Sequence, residues 1–215
     1  GGVVLELARR RPKLKQRPLV VIADISASME LYTRILLYFL HALRQSLSQV
    51  ETFVFATRLT RISSELEPRK VEHALAQVSA SVVDFQSGTR IGESLRTFNT
   101  RWSRRVLRRG AVVVVVSDGW ECGDIESLKK EMRFLRDRCY RLIWLNPRLG
   151  ERSYEARVAG MSAALPFVDD FLSAHNLQSL RELAAHLARL PRRRGSRGGA
   201  QLEEAAPARG KAEVS

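Results

Sequence analysis

The sequence predicts a Rossmann-like α/β fold, in which a mostly parallel sheet of about six strands lies between two layers of helices. Short continuous apolar runs, typical of strands buried on both faces, alternate with segments in which apolar residues recur every three or four positions. Two of the most apolar runs, 19–23 and 111–116, are followed within two residues by an aspartate. The alternation indicates a three-layer α/β/α domain, and the aspartates indicate where its site lies.

The first half of the chain predicts a strand, a helix, two strands and a second helix, in that order. The run 19–23 is the first strand, and apolar spacings of three and four over 29–47 predict an amphipathic helix. Strands follow at 52–56 and 59–62, and a helix is expected to start near Pro68.

The second half of the chain opens with a loop at 87–89 and a long helix from Leu95 to Val106, which Gly110 ends. Five consecutive valines in 111–116 favour a central parallel strand. The remaining predicted elements are a helix at 128–138, a strand at 141–145, a helix at 154–164, a short edge strand at 167–168 and a last helix at 177–190.

Basic residues give the 215-residue chain a formal charge of +13, from 36 Lys and Arg against 23 Asp and Glu. Residues 1–18 hold +5 and residues 191–215 hold +3, which leaves +5 for residues 19–190. We interpret these segments as a basic linker, a disordered basic tail and one domain between them. Basic flanks can bind nucleic acid or anionic lipid, but more often they only solvate chain ends.

The sequence also indicates the cellular compartment in which we expect the protein. The longest apolar run has six residues, far below the roughly 18 of a membrane span. No signal-peptide pattern is present, and Cys122 and Cys139 are too few and too far apart for a disulfide framework. We expect a cytoplasmic protein, and the Gly1 start leads us to expect a fragment of a longer chain.

Oxygen-bearing side chains gather at the predicted ends of the two apolar strands. Asp24, Ser26 and Ser28 alternate, so in an extended turn they can point into one pocket. Thr89 lies in the glycine-containing loop, and Asp118 follows the valine strand. Carboxylates and hydroxyls suit Mg²⁺ or Mn²⁺, whereas Asp24 alone would only indicate a helix cap.

These residues carry a resemblance to the von Willebrand factor A (VWA) domain and its metal-ion-dependent adhesion site (MIDAS). The MIDAS pattern is Asp-x-Ser-x-Ser, then a Thr, then an Asp, which Asp24, Ser26, Ser28, Thr89 and Asp118 match. The resemblance implies that the first four ligate the metal directly or through water, and that the last acts mostly through water. It also implies that a partner's Glu or Asp supplies the remaining ligand.

The chain further resembles the CoxE-like branch of VWA domains. The similar segments are 28–30, 55–60, 87–92, 98–99, 106–110, 116–121, 142–147 and 168–171. This resemblance implies a non-enzymatic, metal-dependent interaction module that accompanies a MoxR-type AAA+ ATPase. It implies a role in the maturation of a metalloenzyme such as molybdenum-containing carbon monoxide dehydrogenase.

Three residues are expected at the rim of the site, where they could contact a partner. Trp120 and Glu121 follow the second aspartate, and the indole can either contact a partner or pack. Arg90 can steer a partner carboxylate or pair with Glu93. The arginines within 101–109 are expected to form a solvated helix face, with docking of an acidic protein surface as the alternative.

Two other classes of function stay open from the sequence. A Mg²⁺-dependent hydrolase or nuclease would use Asp24, Asp118 and Glu121. A two-metal active site requires more clustered carboxylates than these. Plain nucleic-acid binding through the arginines would depend steeply on salt, and no RNA- or DNA-binding motif supports it. We therefore expect no nucleic-acid partner.

Overall fold

The computed structural model describes residues 14–82, 88–108, 110–149, 158–191 and 193–194. Within these ranges the chain forms a six-stranded sheet covered by helices on both faces. The predicted Rossmann-like three-layer fold is therefore confirmed.

The central sheet has the strand order β4-β3-β2-β5-β6-β7. All neighbouring pairs are parallel except β3 and β4, which run antiparallel. Its strands are β2 (Leu19–Asp24), β3 (Val50–Phe55), β4 (Leu59–Arg61), β5 (Val112–Val116), β6 (Arg141–Asn146) and β7 (Asp170–Ser173). A separate two-stranded ribbon pairs β1 (Leu14–Lys15) with β8 (Arg193–Arg194).

The helices divide between two hydrophobic cores, one on each face of the sheet. Their bounds are α1 (Glu30–Ser46), α2 (Val71–Ser81), α3 (Ile91–Arg101), α4 (Ser103–Val106), α5 (Ile125–Arg138), α6 (Ala159–Ala164) and α7 (Leu177–Arg189). Helices α1, α2 and α7 contribute to the first core, and α3 to α6 contribute to the second. The three layers follow from this division.

The two central strands, β2 and β5, supply both cores because alternate side chains of a strand point to opposite faces. In β2, Val21 and Ala23 enter the first core, whereas Val20 and Ile22 enter the second. All five valines of β5 are buried. Burial on both faces explains why these strands read as continuous apolar runs.

The long helix predicted over 95–106 is wrong in one respect, because the structure splits it. Helix α3 ends at Arg101, and a separate single turn, α4, follows Trp102. The backbone of Trp102 stays in the α region, although its φ of −118° departs from the usual helical value, and its ring packs against Phe53 with centroids 5.4 Å apart. Gly110 lies beyond this turn, at φ +66°.

The edge strand predicted at 167–168 is also wrong, because the strand is β7 and begins at Asp170. Leu165–Phe167 forms a 3₁₀ turn with a proline at its start. Phe167 and Val168 pack against the second core from this turn and the residue after it. The apolar character of these two residues therefore reflects the packing of a turn against the core and does not indicate a strand.

Several predictions fall partly outside the described residues. Of the helix predicted over 154–164, the described part holds α6, and residues 154–157 are not described. Most of the predicted linker 1–18 and tail 191–215 also lies outside, so both stay predictions. Among the described residues, no helix combines the length and the apolar character needed to cross a membrane.

Candidate functional site

Asp24, the last residue of β2, is fully buried and held by two neighbours. Its Oδ1 accepts a hydrogen bond from the backbone N–H of Ser26 at 2.9 Å. Its Oδ2 accepts one from the hydroxyl of Ser117 at 2.8 Å. Because β2 and β5 are adjacent and parallel, their carboxyl ends bring residues 24 and 117 to the same edge of the sheet.

The two serines of the motif converge on one point. The Oγ atoms of Ser26 and Ser28 lie 3.2 Å apart, and Ser26 is buried. Residues 27–29 form a 3₁₀ turn directly before α1, which brings the second hydroxyl back beside the first. Neighbouring ligands of an octahedral Mg²⁺, bound at 2.0–2.1 Å, lie about 2.9 Å apart. The spacing of the hydroxyls therefore suits adjacent ligand positions.

Asp118 and Thr89 bring two further buried side chains to this edge. The Oδ1 of Asp118 accepts a hydrogen bond from the N–H of Trp120 at 3.0 Å, and its Oδ2 lies 3.7 Å from Nη1 of Arg148. The carbonyl of Thr89 accepts a hydrogen bond from the N–H of Cys122 at 2.9 Å. This bond joins the loop of Thr89 to the loop that follows Asp118.

The electrostatics of Asp24 reflect its burial. Desolvation raises the pKa of Asp24 from 3.8 to about 7, against the lowering effect of its hydrogen bonds with Ser26 and Ser117. The nearby carboxylate of Asp118 raises the pKa of Asp24 further. A cation at this edge would favour both ionised carboxylates, because an opposite charge stabilises the charged form.

The chemistry of the donor set decides which metal fits. Among the described residues, no three His, Cys, Asp or Glu side chains gather into a metal-binding group. A metal at this edge would therefore depend on serine and threonine oxygens together with two carboxylates. The residues present fit a hard, oxygen-preferring cation such as Mg²⁺ or Mn²⁺.

The predicted rim residues have different surroundings. Trp120 is 55% exposed, so its indole is available to a partner. Arg90 pairs with Glu93 at 2.9 Å, which was one of its two expected roles. The carboxylate of Glu121 accepts hydrogen bonds from the N–H groups of Gly92 at 2.9 Å and of Gly123 at 2.6 Å, and burial raises its pKa.

Sequence reasoning missed three residues that surround the aspartates. Ser117 bridges β5 to Asp24, as described above. The side-chain amide of Asn146 lies 3.4 Å from the carbonyl of Asp118, and Arg148 faces its carboxylate. The available signal was the end of the strand 141–145 at an Asn-Pro pair, because β6 ends beside β5 at the same edge.

The remaining polar features of the sequence lie away from this edge. Arg101, Arg104, Arg105 and Arg108 are exposed, which fits both a solvated face and docking of an acidic protein surface, and the guanidinium of Arg105 lies 4.9 Å from the ring of Trp102. His41 is buried, and its Nε2 lies 2.8 Å from the carbonyl of Pro68.

The fold and the site at the carboxyl edge of its sheet define a domain of the von Willebrand factor A type. The chain belongs to the family of VWA domain-containing CoxE-like proteins, whose sequence pattern matches residues 1–180. This family is associated with the MoxR system, and VWA domains generally serve as protein-interaction modules. The sequence has no significant match among curated proteins.

Several solved structures have the same fold at low sequence identity. A von Willebrand factor type A protein from Catenulispora acidiphila has a TM-score of 0.56 and 12% identity, over 81% of this chain and 42% of that one. Proximal thread matrix protein 1 from the mussel byssus, with a zinc-occupied MIDAS motif, has a TM-score of 0.57 and 15% identity, over 81% and 46%. The chain thus spans less than half the length of both.

A third similar structure is the manganese-loaded TRAP protein of Plasmodium vivax. Its TM-score is 0.51 at 19% identity, over 82% of this chain and 74% of that one. At these identities the likeness concerns the fold. Metal is bound in two of the three neighbours, as zinc in the mussel protein and manganese in the Plasmodium protein.

Proposed function

We propose that this chain is a non-enzymatic module that grips a partner protein through a metal ion. The observation that carries the proposal is the buried cluster at the carboxyl edge, where Ser26 and Ser28 place their hydroxyls 3.2 Å apart beside Asp24. Mg²⁺ is the proposed metal, with Mn²⁺ as the substitute of the same chemistry.

Each residue of the cluster has a role in this proposal. Asp24, Ser26, Ser28 and Thr89 would hold the metal, directly or through water, and Asp118 would act mostly through water. Ser117 holds the carboxylate of Asp24 in place by its 2.8 Å hydrogen bond. A bound Mg²⁺ would supply a vacant, positively charged coordination position, which a carboxylate oxygen of a partner can fill.

The proposed partner is a MoxR-type AAA+ ATPase, together with the metalloenzyme that the pair would help to mature. Family membership supports this partner, because CoxE-like proteins are associated with the MoxR system. The ATPase would supply the energy, since the chain has no nucleotide-binding loop of the type G-x-x-x-x-G-K-[ST]. Molybdenum-containing carbon monoxide dehydrogenase is the client type that the family resemblance favours.

The test measures the affinity of the purified chain for the purified MoxR-type ATPase of the same organism. We expect tight binding in millimolar Mg²⁺, and its loss both in EDTA and in the Asp24→Ala variant. Ser103→Ala, a change at a buried polar side chain away from the cluster, is the matched control and should bind as the wild type does. Binding that survives both EDTA and Asp24→Ala would refute the metal bridge.

The hydrolase alternative would need Glu121 as a third carboxylate. In the structure the carboxylate of Glu121 accepts hydrogen bonds from the N–H groups of Gly92 and Gly123, so it ties the loop after β5 to the first turn of α3. Incubation with single- and double-stranded DNA and RNA in Mg²⁺ or Mn²⁺ provides the check. Cleavage that disappears in Asp118→Ala would favour the hydrolase over the interaction module.

A further inference from the structure

An open cleft of about 530 Å³ lies at the amino edge of the sheet, where the parallel strands β2 and β3 begin. Backbone segments 18–20 and 48–51 line it, together with the side chains of Arg44, Arg105 and Arg108. The first arginine comes from the last turn of α1, and the other two come from α4 and the residues after it. Because α1 and α4 cover opposite faces of the sheet, the cleft gathers positive charge from both.

Glu51, the acidic residue among the described residues of the lining, is already paired. Its Oε2 accepts hydrogen bonds from Nε of Arg61 at 2.8 Å and from the hydroxyl of Ser63 at 2.9 Å. Burial raises the pKa of Glu51, but these two bonds and the charges of Arg61 and Arg105 hold it below its usual value. Arg61 thus balances the acid, and the arginines of the lining stay in excess.

Two of the three lining arginines have no ion pair with a described carboxylate. Nη2 of Arg44 binds Glu67 at 2.8 Å, and its Nη1 donates to the carbonyl of Val50 at 3.5 Å. Among the described residues, no such ion pair involves Arg105 or Arg108, and both side chains are exposed. Exposed arginines often only cover a helix surface. These two differ because they share one concave site with a third arginine.

Direct contacts join Arg105 to the rest of the lining. Its guanidinium lies 4.9 Å from the centroid of the Trp102 ring, and the guanidinium of Arg61 lies 5.8 Å from the same ring. Arg61 in turn holds Glu51. Arg105 is therefore positioned over the cleft by an aromatic neighbour, and its charged group is left available to a ligand.

We infer that this cleft binds an acidic segment of a partner protein, whose carboxylates pair with Arg105 and Arg108. A guanidinium presents parallel N–H donors that match the two oxygens of a carboxylate. A ligand in a cleft also excludes part of the water that screens charges on an open surface. The candidate metal site lies at the other end of β2, about 16 Å away along the strand, so this contact does not involve the metal.

The lining favours the carboxylates of a protein over the phosphates of nucleic acid. Proteins that hold single strands generally stack the bases on aromatic side chains. None of the described residues that line the cleft is aromatic. The neighbouring ring of Trp102 already contacts Arg61 and Arg105. The cleft therefore offers charge without a surface on which bases stack.

The experiment measures the affinity of the purified 215-residue chain for a labelled decapeptide of alternating glutamate and glycine with blocked ends. EDTA is present throughout, so the proposed metal bridge cannot contribute. Fluorescence anisotropy gives the affinity, and the same peptide with glutamine in place of glutamate measures binding that does not need charge. We expect the glutamate peptide to bind at least about tenfold more tightly at low salt, and this advantage should shrink as salt is added.

Variants of the chain assign the binding to the cleft. Arg105→Ser and Arg108→Ser should each weaken binding of the glutamate peptide about fivefold, and the double variant about 20-fold. Arg34→Ser is the matched control, because it removes the same charge from an exposed position on α1, about 15 Å along the helix axis from Arg44. Its effect should stay below about twofold.

Three results would overturn the assignment. They are no binding of the glutamate peptide, no loss in the double variant, and an equal loss in Arg34→Ser, which would make net charge the cause. Labelled hexathymidylate, with five phosphates against five glutamates, tests nucleic acid. The double variant should weaken its binding less than that of the peptide, and an equal or larger loss would assign the cleft to nucleic acid instead.

These outcomes are independent of the metal bridge. Binding to the cleft should be the same in Asp24→Ala as in the wild type, and a loss in that variant would show that the peptide binds at the carboxyl edge instead. Circular dichroism of each variant establishes that the changes act on binding and not on folding.

Discussion

The central sheet has a carboxyl edge, where its parallel strands end, and an amino edge, where they begin. The two edges differ in how deeply their polar side chains are buried. At the carboxyl edge, Asp24, Ser117 and Asp118 are at most 1% exposed and are bonded to one another or to nearby backbone. At the amino edge, Arg105 and Arg108 are exposed along an open cleft of about 530 Å³. The fold therefore buries its polar groups at one edge and leaves them in water at the other.

The difference shows where substitutions should matter. A buried carboxylate is costly unless it is paired and hydrogen-bonded, so a cluster of them indicates a place where binding outweighs stability. Exposed charges interact weakly because water and salt screen them. We therefore expect substitutions at the carboxyl edge to have large effects on metal binding. Substitutions at the amino edge should have small effects on both metal binding and stability.

The largest effect is expected for Asp24→Ala. This variant removes the most deeply buried candidate ligand, so affinity for Mn²⁺ should fall below detection in isothermal titration calorimetry. Arg108→Ala, at the amino edge, should bind Mn²⁺ as the wild type does. Retained affinity in Asp24→Ala would show that the buried cluster is not the metal site, and the contrast between the two edges would lose its functional meaning.

The next effect is a pH dependence of the metal-free chain. The folded state raises the pKa of Asp24 from 3.8 to about 7, so it binds this proton more tightly than the unfolded state does. The free energy of unfolding should therefore fall as the pH rises from about 4 through about 7.

The effect can be isolated by subtraction, because other carboxylates titrate in the same range. Urea denaturation in EDTA gives the free energy of unfolding of the wild type and of Asp24→Asn. The difference between these two free energies should change by a few kcal/mol across this pH window. A difference that stays constant with pH would show that burial does not govern the carboxyl edge.

A smaller effect is expected for Ser117→Ala, which leaves Oδ2 of Asp24 without its hydroxyl donor. Metal affinity should fall about 10–100-fold, as for other residues that orient a ligand, and stability should fall by about 1–3 kcal/mol. Ser103→Ala is the matched control, because this buried serine donates to the carbonyl of Asn99 at 2.6 Å, away from the cluster. It should lose stability and keep its metal affinity, and equal metal losses in both would point to a general loss of structure.

The smallest effect is expected at the amino edge. Arg104→Ala and Arg108→Ala should each change the free energy of unfolding by no more than about 0.5 kcal/mol, because both side chains are exposed. Urea denaturation measures this directly. A loss above about 1 kcal/mol in either variant would mean that this edge also contributes to the fold.

The sequence predicted the central strands well, but it predicted poorly which strands lie next to each other in the sheet. The central strands β2 and β5 are continuous apolar runs because both faces are buried, and this pattern is visible in one dimension. Asp24 and Asp118 were expected to meet because parallel strands end at the same edge. Which strands lie side by side depends on long-range packing, and for this reason the bridge from Ser117 to Asp24 was missed.

The errors in the secondary structure have the same origin. The break at Trp102 coincides with packing of its ring against Phe53 in another element, a contact that periodicity along the helix does not record. The 3₁₀ turn at 165–167 likewise presents Phe167 to the core without forming a strand. Local sequence patterns predict that a residue is buried. Tertiary contacts decide whether the backbone of that residue forms a helix, a strand or a turn.

The hydrogen bonds of Glu121 have a consequence for protein engineering. Its carboxylate joins the loop after β5 to the first turn of α3 through Gly92, and Cys122 joins the same loop to Thr89. The loops that carry Thr89 and Asp118 are therefore built as one piece. An attempt to graft this site onto another protein should transfer both loops together with Glu121. Either loop alone would lack the hydrogen bonds that join it to the other.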